Sequence, residues 1–279
     1  MEAPTILRVK DPDEEDKPRK IIHPHLPQIY GFGQGALILM ISPVRTGKST
    51  IISNMLLNNN LYGEDAFDSV KIISNTIDNC ITSRFLKEAF DVSSYYDDSL
   101  IEGIIKSQKS FEKSEQPEIA IIIDDCLGSL KRESAINHLS SRYRHFNIKM
   151  LLFSSQKFTG SVSPVIRANC TNLIIGSPFS NQKELGKIFE EYGDSFGGVD
   201  NLAKIYKLAT PNRFDFLHIS LQDNPPKCYR NFETLLSIGP DIIGQAKFKK
   251  EDDEEDKETK EVNKNFIYND ETEEPPKKK

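Results

Sequence analysis

The sequence predicts a three-layer α/β sandwich with a mainly parallel central sheet, and three observations predict it. Short apolar, β-branched runs alternate with segments of helical periodicity along the middle of the chain. Several of those runs are apolar on both faces, as strands are when helices cover them on each side. The first run leads directly into Gly47-Lys48-Ser49-Thr50, a glycine-bearing turn that opens a helix.

The elements follow in order. Ala36–Ile41 is a wholly apolar strand, and Ile51, Ile52, Met55 and Leu56 give the next segment, 48–59, a helical stripe. Ser-Val-Lys-Ile-Ile at 69–73 reads as the second strand, with helices at 84–91 and 98–108. Ile119–Asp124 is a third strand and ends on a carboxylate. A helix is expected over 131–145, where Lys131, Arg132, Arg142 and Arg144 make the best local basic surface. Met-Leu-Leu-Phe-Ser-Ser at 150–155 and Asn-Leu-Ile-Ile-Gly at 172–176 are strands. Helices at 181–192 and 199–207 precede a last strand at 214–221. No repeat or linker divides this pattern, so residues 21–244 are expected to form one domain. Residues 1–20 and 245–279 are polar, mixed in charge and expected to be disordered; Phe266-Ile267-Tyr268 is the one apolar interruption in the second.

Composition narrows the function classes. At 279 residues and 37% hydrophobic content the chain can bury one sizeable core. No apolar run approaches the ~18 residues that suggest a membrane span, and no signal peptide is evident, so a soluble, non-secreted protein is expected. The four cysteines are scattered without a C-x-x-C pair, which favours reduced thiols over disulfides or a zinc site. The net charge is −6. The tail from Gln245 holds twelve acids and nine bases, residues 1–20 hold six acids and five bases, and −2 remains for the body. Nucleic acid would have to be held by a local basic surface rather than by the global field.

The residues from Ser42 to Thr50 (Ser42, Pro43, Val44, Arg45, Thr46, Gly47, Lys48, Ser49, Thr50) read as a phosphate-binding loop. Backbone amides at a helix start converge on phosphate oxygens, and the helix dipole favours negative charge there. Lys48 is expected to reach the β- and γ-phosphates and Ser49 to hold Mg²⁺. The loop departs from G-x-x-x-x-G-K-[ST]: Ser42 replaces the first glycine, Pro43 removes an amide donor, and Arg45 sits inside. Asp124 is delivered by its strand to the metal, and its neighbour Asp125 is expected to polarise the attacking water. Side chains alternate along a strand, so the two acids are expected to diverge rather than clamp one ion. Gln156, just past strand 150–155, lies level with Asp125 if the strands are parallel and could sense the γ-phosphate. Arg144 and Arg167 are candidate arginine fingers, which act across a subunit boundary. His23 and His25 read as packing residues. Together these residues point to an NTP hydrolase using ATP and Mg²⁺.

Taken in sequence, the segments Ser42–Thr50, Ile119–Asp125, Arg142–Asn147, Leu151–Gln156, Pro164–Asn169, Phe214–Leu217 and Tyr229–Phe232 resemble the poxvirus-type genome-packaging ATPases of nucleocytoplasmic large DNA viruses. These belong to the FtsK–HerA superfamily of P-loop motors, and the resemblance covers roughly residues 20–240. It implies a RecA/FtsK–HerA-like P-loop fold in which one extra strand separates the loop-bearing strand from the Asp-Asp strand. It implies a homo-oligomeric ring, pentameric or hexameric, that pumps double-stranded DNA into a capsid, with capsid or portal-region proteins as partners and the virion and cytoplasmic viral factory as its places. Asp125 would then activate water, Gln156 would be the sensor, and Arg144 before Arg167 would be the trans finger.

Two other readings compete. A P-loop kinase should carry an arginine-rich lid, and none is visible between the loop and the Asp-Asp strand. A non-hydrolysing adaptor is favoured by Ser42, Pro43 and Arg45, and opposed by the joint presence of Lys48, Ser49, Asp124, Asp125 and Gln156.

Overall fold

Strands β1 (Ala36–Ile41), β4 (Ile119–Asp124) and β6 (Asn172–Gly176) have the bounds their apolar runs set. The structure, a computed structural model, describes residues 22–30, 34–62, 66–79, 84–131 and 133–236. The two terminal segments, Phe266-Ile267-Tyr268 among them, lie outside these residues, as do Cys80 and Arg132.

The sheet is completed by β2 (Ser69–Ser74), β3 (Asp91–Ser93), β5 (Ile148–Ser155), β7 (Phe216–Ser220), β8 (Lys227–Arg230) and β9 (Thr234–Leu235). Their order is β3-β2-β4-β5-β1-β6-β7-β8-β9. The six strands from β3 to β6 run parallel and the last three antiparallel. β5 therefore separates the loop-bearing β1 from the Asp-Asp strand β4, the arrangement the resemblance implies.

Period-2 alternation divides the core between two faces. Leu37, Leu39, Ile41, Ile121, Ile123, Leu151 and Phe153 point to one side, where α3 (Asp98–Gln108), α4 (Ala135–Ser140), α6 (Gln182–Tyr192) and α7 (Val199–Ala209) pack. Ile38, Met40, Ile72, Ile122, Met150 and Leu152 point to the other, covered by α1 (Lys48–Leu57), α2 (Arg84–Ala89) and the segment holding Leu26 and Ile29. On this second face His25 packs on Tyr229 with ring centroids 4.9 Å apart, a packing role for that histidine. Cys126, Cys170 and Cys228 take part in no disulfide among the described residues.

The helix expected over 131–145 is not one helix. Among the described residues of that span only Ala135–Ser140 is α-helical, and Tyr143–Phe146 is a separate 3-10 turn. Serine hydroxyls end the first: Ser140 Oγ donates to Asn137 O at 2.8 Å and Ser141 Oγ to His138 O at 3.0 Å. Such local bonds compete with helical propagation, and Arg142 leaves helical geometry with ψ near 4°. Lys131, Arg142 and Arg144 are exposed but do not share a helical face.

The last predicted strand is also shorter than 214–221. It starts at Phe216 because Phe214 takes φ 74° and Asp215 closes a turn with Asn212. α5 (Pro164–Ala168), capped by the Ser163 hydroxyl on Ile166 N–H, lies where no helix was expected.

Candidate active site

Parallel register brings the carboxyl ends of β2, β4, β5 and β1 to one level. Ser74 pairs with Asp124, Asp124 with Ser154, and Ser154 with Met40. The loop leaving β1 is therefore placed beside the end of β4, the usual position for ligands in open α/β sheets.

The loop itself is tightly folded. Lys48 is only 8% exposed, and its Nζ donates to Ser42 O at 2.9 Å and Pro43 O at 3.2 Å. Thr46 Oγ1 bonds the Ser42 hydroxyl and donates to Pro43 O at 2.5 Å. Left-handed backbone at Arg45 (φ 61°) and Gly47 (φ 91°) turns the chain into α1, and Val44 and Arg45 face solvent. Ser49 is half-buried and Thr50 exposed at the helix start. Ser42, where a glycine is usual, is fully buried because Gly176 at the end of β6 makes room. A Cβ on Gly176 would lie 1.9 Å from Ser42 Oγ. The absent first glycine is offset by a glycine on the neighbouring strand.

Asp125 departs from the simple alternation expected at a strand end. Its φ of 52° takes it out of β4, and its Oδ2 lies 3.8 Å from Lys48 Nζ. Gln156 Nε2 donates to the same oxygen at 3.1 Å. The loop carrying Gln156 is pinned by Ser155 Oγ, which donates to Lys157 O at 2.8 Å, and by Glu184, which accepts from the Phe158 and Thr159 amides at 2.9 Å. Lys48, Asp125 and Gln156, distant in sequence, thus form one hydrogen-bonded and charged cluster. Burial lowers the Lys48 pKa, and the Asp125 and Asp124 carboxylates oppose that fall.

Asp124 Oδ2 accepts from Ser74 Oγ at 2.9 Å, while its buried Oδ1 has no partner in hydrogen-bonding geometry among the described residues. A buried carboxylate oxygen lacking a donor carries a cost that a cation or its water shell removes. With the half-buried Ser49 opening α1 on the same edge, the donor set is all oxygen, which suits Mg²⁺. Burial raises the Asp124 pKa, and the neighbouring Asp125 charge adds to the rise. A carboxyl whose folded pKa exceeds its unfolded one stabilises the fold below the unfolded pKa and loses that contribution as pH rises through the folded pKa. Asp124→Asn is therefore expected to raise the Tm of the nucleotide-free protein at pH 8, by about 2–4 °C for ~1 kcal/mol relieved. Calorimetric melting at pH 8 and at pH 4 checks this, with the gain shrinking at the lower pH.

The two arginines are not brought to this cluster. Arg144 is exposed, with Cζ 5.6 Å from the Tyr143 ring, and precedes β5 at the opposite, amino-terminal edge of the sheet. Arg167 on α5 pairs with Glu191 and stacks 5.0 Å over Phe158. Two residues of the site were not anticipated. Ser74 is the polar end of an apolar strand, a signal available in the sequence; Gly176 acquires its meaning only from the sheet order.

No family model matches the chain, and no curated protein matches it. Among solved structures, the genome packaging NTPase B204 of Sulfolobus turreted icosahedral virus 2, in complex with AMP, aligns with a TM-score of 0.50 at 16% identity. The alignment covers 70% of this chain and 96% of that one. The crystal structure of B204, the DNA-packaging ATPase from Sulfolobus turreted icosahedral virus, aligns with a TM-score of 0.49 at 16% identity, over 69% and 95% of the two chains. The pCW3 conjugation coupling protein TcpA with ATPγS aligns with a TM-score of 0.47 at 13% identity, over 74% and 62%. The architecture is that of the P-loop NTPases, and its structural neighbours include a viral genome-packaging NTPase.

Proposed function

We propose that this chain is a Mg²⁺-dependent ATPase that translocates double-stranded DNA, in the service of packaging a viral genome. The observation that carries the hydrolytic part is the convergence of Lys48, Asp125 and Gln156 beside Asp124 at the carboxyl edge of the parallel sheet. Lys48 exchanges its bonds to the Ser42 and Pro43 carbonyls for bonds to the β- and γ-phosphates. Asp125, fixed by Gln156, accepts a proton from the attacking water, and Gln156 reports the γ-phosphate to the rest of the fold. Ser49 and Asp124 would hold Mg²⁺, which would neutralise negative charge on the phosphates.

The DNA-pumping part is supported by the resemblance in sequence, which implies a ring and capsid or portal-region partners, in the virion or viral factory. Arg144 suits a trans finger better than Arg167, because its guanidinium is exposed whereas Arg167 would first have to leave Glu191. Such a finger is worth about 10³–10⁵-fold in rate. Contacts to DNA would be to phosphates, hence indifferent to sequence and weakened by salt. Among the described residues no helix is long and apolar enough to cross a membrane.

The test is ATP-dependent displacement of a third strand from a duplex carrying a triplex block. Displacement that requires ATP and fades with added salt supports the reading; hydrolysis without displacement contradicts translocation. Truncation after Gly244 is expected to leave phosphate release intact, since no site residue lies beyond it. A loss greater than about tenfold, or roughly 1.4 kcal/mol in the barrier, would refute that expectation.

A further inference from the structure

The turn before β7 holds an aromatic side chain in a position that the hydrolytic cluster does not use. Phe214 has φ 74°, a left-handed backbone that L-residues with bulky side chains rarely adopt. It is 54% exposed, although the sandwich has apolar interior on both faces of the sheet. Exposure and strain together at one aromatic residue call for a use outside packing.

The turn is rigid. The Phe214 amide donates to Ser177 O at 3.3 Å. The next residue, Asp215, is buried and accepts from the Asn212 amide at 3.0 Å, Arg230 Nη2 at 3.0 Å and Asn231 Nδ2 at 3.2 Å. The ring beside it is thus presented by a fixed scaffold, not by a floppy loop. Its Cδ1 lies 3.8 Å from where a Cβ on Gly47 would stand, so the ring adjoins the phosphate loop. The Arg213 guanidinium lies 5.0 Å from the ring centroid and backs it with positive charge.

Sheet order gives this ring a direction. The strands run β4-β5-β1-β6-β7 across the site. With strands ~4.8 Å apart, the Asp124–Asp125 pair at the end of β4 and Phe214 at the start of β7 lie about 10 Å to either side of β1. A nucleotide whose γ-phosphate meets Asp125 and whose phosphates cross the loop over β1 therefore carries its base toward β7. Phe214 stands there, with more than half of its side chain open to solvent.

We propose that Phe214 is the platform on which the nucleobase of bound ATP stacks, with Arg213 supporting the ring from its other side. This rests on the reading of the loop as an ATP site. Every base offers a π-face, so the platform adds affinity without selecting adenine over guanine. Phe214 binds rather than reacts; its loss raises KM and leaves kcat.

The chain contains no tryptophan, which makes Phe214→Trp a clean reporter. Comparing ATP with inorganic tripolyphosphate separates the base from the phosphates. ATP is expected to quench the Phe214→Trp fluorescence, while inorganic tripolyphosphate binds without quenching it. In calorimetry, Phe214→Leu, which keeps an apolar side chain beside the loop but has no π-face, is expected to bind ATP about tenfold more weakly. Its tripolyphosphate affinity should stay unchanged, as should that of Phe214→Ala. Equal losses for ATP and tripolyphosphate would assign Phe214 to loop packing and overturn the platform. So would an unmoved fluorescence signal, or unchanged ATP affinity in Phe214→Leu, while the wild type binds ATP. A wild type that binds neither ligand would overturn the ATP site itself, and the platform with it.

Discussion

Asp125→Asn is expected to abolish most of the proposed hydrolysis while ATP still binds. A positioned base contributes about 10²–10⁴-fold, and kcat is expected to fall within that range. The amide keeps the size of the carboxylate and can still meet Gln156, whose Nε2 lies 3.1 Å from Asp125 Oδ2. It cannot take the proton from water. Removing a negative charge beside the γ-phosphate position also leaves ATP affinity equal to or higher than that of the wild type. Single-turnover phosphate release together with calorimetric ATP binding reads both effects. A parallel loss of binding and rate would mean that Asp125 acts by holding Lys48, 3.8 Å away, and not on water.

Gly176→Ala is expected to damage the loop from the neighbouring strand. The added methyl would lie 1.9 Å from Ser42 Oγ and 2.7 Å from Ser42 Cβ, distances no packing tolerates. Ser42 is held by its amide on Ser155 O at 3.0 Å and by its carbonyl on Lys48 Nζ at 2.9 Å. Displacing it therefore moves the first turn of the phosphate cradle. Overpacking of this kind costs about 1–3 kcal/mol, and ATP affinity should drop more than tenfold. The second substitution Ser42→Gly removes both clashing atoms and leaves Ser42 Cα at 3.5 Å, an ordinary contact. The double variant should regain stability and binding, whereas Ser42→Ala on the Gly176→Ala background, which keeps the Cβ, should rescue only partly. Failure of the glycine rescue would show that Gly176 has another reason to be there.

The parallel half of the fold was legible because its strands are apolar on both faces: β1, β4 and β6 end where their apolar runs end. The antiparallel edge beyond β7 was not. Lys227, Arg230 and Thr234 interrupt β8 and β9 with polar side chains. In the parallel half, β3 was missed because it has only three residues. The expected helix over 131–145 failed because periodicity does not register serines that bond their own backbone. In the site, Lys48, Asp124, Asp125 and Gln156 could be singled out because each sits at or just past an apolar run, where parallel strands deliver side chains to one edge. Gly176 could not. Its importance comes from strand order, which leaves no mark in the local sequence.

Steady-state phosphate release from ATP, with and without long duplex DNA at low salt, tests the central claim most directly. Mg²⁺-dependent release is expected to rise on adding duplex, decline as salt increases, and fall by at least about a hundredfold in Asp125→Asn. Release by the wild type no greater than by Asp125→Asn, with the duplex present, would contradict it.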